Sequence, residues 1–126
     1  MNNVDYRAWS IKDKRYFRNV LPILKDTIIT GKYAGHEFLP VDDPNYIFEQ
    51  AIGISDRDGV RIFNGDIIEI DGDKGVVFWN YKDLWYEIVG DGWTDNVWNI
   101  QTIKVIGTVL QNGAPIYDPY DGLPDM

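Results

Sequence analysis

A chain of 126 residues, 44% apolar and 14% aromatic, is long enough for one hydrophobic core or two small ones, and its aromatic and Gly content favours strands over helices. It has no Cys, one His (His36) and two Ser (Ser10 and Ser55), neither Ser in a G-x-S-x-G elbow, so disulfides and thiol chemistry are excluded and a Ser-His-Asp triad has almost nothing to draw on. The formal net charge of −8 is unevenly spread, +4 over residues 1–32 and −12 over residues 33–126, and the acidic part opposes tight binding to phosphate backbones.

In chain order, residues 4–9 alternate weakly and predict a short strand. Ile11–Arg15 reads as a charged turn, and Tyr16-Phe17 begins a returning strand that Leu21-Pro22 is expected to interrupt. Arg15, Tyr16, Phe17 and Arg18 are the candidate contacts of this basic arm, whose simplest reading is a solvated hairpin. Asp26–Thr30 has the composition of a strand. A loop is expected at about residues 31–45, where Gly31, Gly35, Pro40, Asp42, Asp43 and Pro44 fall. Asp43-Pro44 would suit one helical turn, but alternation from Tyr46 to Ile54 favours a strand.

Asp56-Arg57-Asp58-Gly59 then sits between two apolar β-branched runs and predicts a tight turn. Asn64-Gly65 offers a second turn, and Asp66–Ile70 opens a strand with Ile68 and Ile70 on one face, Ile67 and Glu69 on the other. If Gly59 and Gly65 hold positive φ, Val at either position destabilises the fold, whereas Asp56→Ala is expected to matter less. Placed in an EF-hand frame, Asp56-Arg57-Asp58-Gly59 would put Ile54 and Gly65 at the first and last ligand positions, so it is a turn and no calcium loop. Asp66, Asp71 and Asp73 would hold at most a weak surface cation.

Beyond a hairpin loop at residues 71–75, strands are expected at 75–79, 84–89 and 103–110, with residues 97–102 ambiguous and a loosely held tail at 111–126. Phe78, Trp79, Tyr81, Trp85, Tyr86, Trp93 and Trp98 crowd into 21 residues. Trp79, Trp85 and Trp93 are the candidate contacts there. The same window has Lys82 as its one cation against Asp83, Glu87, Asp91 and Asp95, which suits a protein, peptide or sugar better than a nucleic acid. The simplest reading divides the rings between a core and a subunit contact.

Gly53, Asp56, Gly59, Ile62, Phe63, Gly65, Asp66 and Ile67 together resemble the pattern of the YopX family of bacteriophage and prophage proteins, with Ile52 in place of its threonine. Tyr6-Arg7-Ala8-Trp9 and Val105-Ile106-Gly107-Thr108-Val109 resemble the family's first and last motifs, in order along most of the chain. The resemblance implies a phage-encoded, β-rich protein and brings no catalytic residue. The expected fold is mainly β: an SH3-like C-terminal β-barrel at about residues 60–110 and an N-terminal β module over residues 1–59 packed on it.

The expected function is an accessory role by protein–protein contact, without catalysis, as a homo-oligomer in the reducing cytoplasm. No cofactor, metal or membrane span is expected. The alternatives are a nucleic-acid-associated module using the basic arm and, less favoured, a small hydrolase using a carboxylate pair.

Overall fold

The computed structural model describes residues 5–24, 37–80, 82–96, 102–115 and 118–120. The chain divides into two compact units, one ending at Gln50 and the other beginning at Ala51. The fold is mainly β, as expected.

In the first unit, β1 (Tyr6–Ser10) pairs antiparallel with β2 (Arg15–Ile23) and β4 (Tyr46–Ser55), while β3 (Glu37–Pro40) lies parallel to β2, giving the order β3-β2-β1-β4. The predicted charged turn is closed by Ser10, whose carbonyl accepts from Lys14 N at 2.8 Å and whose Oγ accepts from Asp13 N at 3.0 Å. Alternation places Ala8, Val20 and Leu39 in a core against Tyr6, Phe17, Tyr46 and Phe48.

Two expectations fail in this unit. Pro22 does not interrupt β2: Val20 is the last residue paired to β1, and beyond it β2 needs a neighbour on one side only, where proline is tolerated. The predicted loop at 31–45 contains β3, which is only four residues long and pairs parallel with the preceding strand, so it leaves no local signal. The strand expected at Asp26–Thr30 and the residue His36 lie outside the described residues.

β4 runs on past Gln50 into the second unit, where Ala51 and Ser55 pair with Phe63 and Arg61 of β5 (Arg61–Phe63). β6 (Asp66–Ile70), β7 (Asp73–Asn80), β8 (Trp85–Gly90), β9 (Trp93–Asn96) and β10 (Ile103–Thr108) form an antiparallel sheet in the order β10-β6-β7-β8-β9. The β6–β7 turn is shorter than expected, because Asp71 and Gly72 both hold positive φ (50° and 88°) and close a two-residue hairpin.

One sheet face carries Ile68, Val77, Ile88 and Ile103, which form a core with Ile62 of β5. The opposite face carries Ile67 and Val76, which pack with Val109 and Tyr120. Gly75 and Gly90 face each other across β7 and β8, and Trp93 lies over them. A Cβ on Gly90 would sit 2.0 Å from the Trp93 ring, so the missing side chain is what admits the indole.

No closed barrel forms among the described residues. The edge of β10 that would receive β9 is held by the turn after β4: Arg57 N donates to Ile103 O at 3.1 Å, and Val105 N donates to the Asp56 carboxylate at 2.9 Å. The strand predicted to reach Leu110 ends at Thr108 and becomes α1 (Val109–Asn112). Thr108 caps it, its Oγ1 accepting from Gln111 N at 3.1 Å, while Asn112 Oδ1 accepts from Thr108 N at 2.9 Å. β9 itself had no counterpart among the predicted strands.

Gly59 and Gly65 hold φ of 82° and 89°, as the turn reading required. Val at either position is expected to cost about 2 kcal/mol, because a β-branched residue resists the left-handed region. Thermal melts of Gly59→Val and Gly65→Val should both fall clearly below wild type.

Candidate functional site

The residues of the longest motif converge on two turns. Asp56 is buried, and its Oδ1 accepts from Asp58 N and Val60 N, each at 2.8 Å, while Oδ2 reaches Val105 N. Burial by itself would raise the Asp56 pKa; the three backbone donors, with Arg57 adding a smaller attraction, outweigh it and hold the carboxyl below its ordinary value.

Asp66, fully buried, accepts from Phe63 N at 2.8 Å. Beside it, Gly65 N donates to Val77 O, Gly65 O accepts from Val109 N, and Asn64 Oδ1 accepts from Trp79 N. Both carboxylates are thus committed to backbone N–H groups. Asp71 and Asp73 are exposed at the neighbouring hairpin. Among the described residues no group of three or more His, Cys, Asp or Glu is placed to hold a metal.

A buried ion pair lies in the first unit, on the sheet face opposite Ala8. Arg7 Nε donates to Glu49 Oε1 at 2.7 Å, with both side chains almost wholly buried, and Tyr16 OH donates to the same oxygen at 2.9 Å. Tyr16 also stands edge-on to Trp9, with 5.0 Å between centroids. The guanidinium carbons of Arg7 and Arg18 lie 4.6 and 5.2 Å from its ring centre. Arg15 lies 4.0 Å over Phe17, whose ring meets Tyr46. The four candidate arm contacts therefore belong to β2, with Arg15 and Arg18 exposed and Tyr16 and Phe17 half-buried. Sequence reasoning missed Glu49, the buried partner of Arg7 and Tyr16.

The aromatic cluster separates. Trp93 lies on the glycine pair, and Trp79 packs edge-on to Tyr86 at 4.9 Å. Trp85 is 46% exposed and stands beside Leu84, which is 71% exposed at a φ of 58°. Tyr81 and Trp98 lie outside the described residues. Asn80 shapes this tip: its carbonyl accepts from Leu84 N, and its side-chain oxygen accepts from Lys82 N and Asp83 N. Elsewhere in the second unit a groove of about 340 Å³ is lined by Ile67, Lys74, Ile106, Asn112 and residues 113–115. Ile106 is exposed there because β10 bulges between Val105 and Gly107. Among the described residues no helix is long and apolar enough to cross a membrane.

The family model for YopX protein matches residues 5–115. The chain belongs to the YopX family. A crystal structure of the protein EF1440 from Enterococcus faecalis is similar to it, at 19% identity over 89% of this chain and 96% of that one, with a TM-score of 0.58. At that identity the likeness concerns the fold. No curated protein matches the chain. In the YopX motif as it stands here Gly59 and Gly65 supply the φ of the turns, Asp56 and Asp66 hold N–H groups, and Ile62, Phe63 and Ile67 are buried strand residues.

Proposed function

We propose that this YopX-family chain is a phage- or prophage-encoded accessory protein of the host cytoplasm that works by protein–protein contact, without catalysis, as a homo-oligomer. The observation that carries this reading is the division of labour among its residues. The motif carboxylates accept backbone N–H groups, three at Asp56 and one at Asp66, while large apolar side chains, Leu84, Trp85, Val60 and Ile106 among them, stand exposed. The order β10-β6-β7-β8-β9, in which the last strand returns beside the first of a meander, supports an SH3-like reading of the second unit. That analogy carries no activity.

Arg15 and Arg18, exposed on β2, are the proposed charged contacts of the first unit. Light scattering coupled to size exclusion should give a mass above one chain, and charge reversal of Arg15 and Arg18 should lower it. A mass of one chain for the wild type at about 0.1 mM in low salt, where surface attraction is least screened, would overturn this reading. Affinity purification from host cells, followed by mass spectrometry, would identify a heterologous partner.

The second reading is nucleic-acid association. It draws on Lys12, Lys14, Arg15 and Arg18, all exposed on one hairpin. The body's charge of −12 opposes it. A gel shift with single- and double-stranded DNA at about 0.15 M salt should show no submicromolar binding; tight, salt-sensitive binding would reverse the preference.

A further inference from the structure

The tip of the β7–β8 hairpin is built at a conformational cost. Leu84 holds a φ of 58°, where a non-glycine residue is strained by about 1–2 kcal/mol, and its side chain is 71% exposed, so packing within the chain offsets little of that. Asn80 fixes the turn through three backbone N–H groups, which displays Leu84 and Trp85 as a preformed apolar knob. Around the knob stand Asp83 and Glu87, with Lys82 as the single cation. Trp85 Nε1 donates to Glu87 at 3.3 Å, which fixes the indole beside that carboxylate.

The groove described above has the complementary character. Its lining combines Ile67, Ile106, Ala114 and Pro115 with Lys74. Lys74 and Lys104 are the register partners of Glu69 on its two sides, and among the described residues neither lysine forms an ion pair. One region thus offers an apolar hollow with a single lysine, Lys74, on its lining, and the other offers an apolar projection beside carboxylates.

Register places both regions on one sheet face. Asn80 pairs with Trp85, Phe78 with Glu87 and Val76 with Val89 across β7 and β8, and Ile67 pairs with Val76 and Glu69 with Lys74 across β6 and β7. Trp85 and Glu87 therefore share the face of Ile67 and Lys74, displaced along the strands by roughly 13 Å from Val76 to Asn80.

We propose that this face binds a second copy of the chain, turned by a half-turn so that each Leu84–Trp85 tip enters the other's groove and Glu87 meets Lys74. This two-fold arrangement makes the same contact twice and closes on itself. It rests on the self-association proposed above, and names the surface responsible.

Sedimentation equilibrium of the full chain tests it. Leu84→Asp, Lys74→Glu and Glu87→Lys should each weaken self-association at least about tenfold, since each change acts twice in a two-fold contact. The double variant Lys74→Glu with Glu87→Lys should recover most of it. Leu84→Asn gives a second signature: Asn tolerates the left-handed region, so the dilute chain should melt higher than wild type while associating less. An oligomeric wild type that ignores these substitutions but dissociates on reversing Arg15 and Arg18 overturns this inference and leaves the proposed function standing. A monomeric wild type overturns both. A monomer in which Lys74→Glu lowers the melting temperature assigns the groove to the chain's own residues, which also overturns the inference.

Discussion

Asp56→Ala is expected to lower the stability of the second unit by about 3 kcal/mol, a drop of roughly 10–20 °C in melting temperature for a unit of this size. Sequence alone ranked this substitution below the glycine changes, and the structure reverses the order. One carboxylate accepts three backbone N–H groups, two inside its own turn and one from Val105, 49 residues away. Alanine leaves all three donors without that acceptor. It also frees the edge of β10 that the turn holds. Calorimetry of Asp56→Ala beside Gly59→Val decides the ranking, and Asp56→Asn should fall between Asp56→Ala and wild type because one acceptor oxygen survives.

The same site sets an acid limit. The folded-state pKa of Asp56 lies below its ordinary value, so its contribution is fully present above the unfolded value of about 4 and is lost as pH falls through the folded one. Wild-type stability should therefore decline below about pH 4. Asp56→Ala should show a shallower decline over that range, and equal slopes in the two proteins would assign the acid sensitivity to other carboxylates.

What could be read from the sequence was local. The turns at Asp56–Gly59 and at Asn64-Gly65 were legible because Gly and Asp have specific uses at positive φ and at Asx positions. The faces of β6 were legible because alternation is a property of the strand itself. β3 was not, since four residues in parallel register with the preceding strand, joined by no tight turn, carry no local sign. β9 escaped for a related reason. Trp93-Thr94-Asp95-Asn96 alternates poorly, and its place becomes clear only when Gly75 and Gly90 are known to be opposite each other. Val109-Leu110 continues an apolar run, so only the cap made by Thr108 and Asn112 reveals a helical turn.

The candidate site was legible by residue type and illegible by face. Trp79, Trp85 and Trp93 are alike in sequence, yet one packs on Tyr86, one is exposed at a tip and one lies over glycines. An exposed leucine such as Leu84 is ordinary; its φ is what sets it apart. Asp56 likewise looked like an ordinary turn aspartate, because its bond to Val105 crosses the fold.

Glu49→Ala is the other large expected effect, and it concerns the first unit. Glu49 and Arg7 are register partners on β4 and β1, so the charge pair is placed by the sheet itself. Both side chains are nearly inaccessible, and Tyr16 adds its hydroxyl to the same carboxylate oxygen. Removing the carboxylate leaves a guanidinium in a site with little water, at a cost of about 3–5 kcal/mol. Arg7 keeps its position over the Tyr16 ring, 4.6 Å from the centroid, but a ring face replaces only part of a full counter-charge. Replacing both partners by apolar residues of similar size removes the two buried charges together. Arg7→Met combined with Glu49→Leu should therefore be markedly more stable than Glu49→Ala, and within about 1–2 kcal/mol of wild type. Denaturant melts of the single and double variants separate these outcomes. If the double variant is as unstable as Glu49→Ala, the pair stabilises the unit by more than its own neutralisation, and the hydrogen bond from Tyr16 becomes the next group to remove, as Tyr16→Phe.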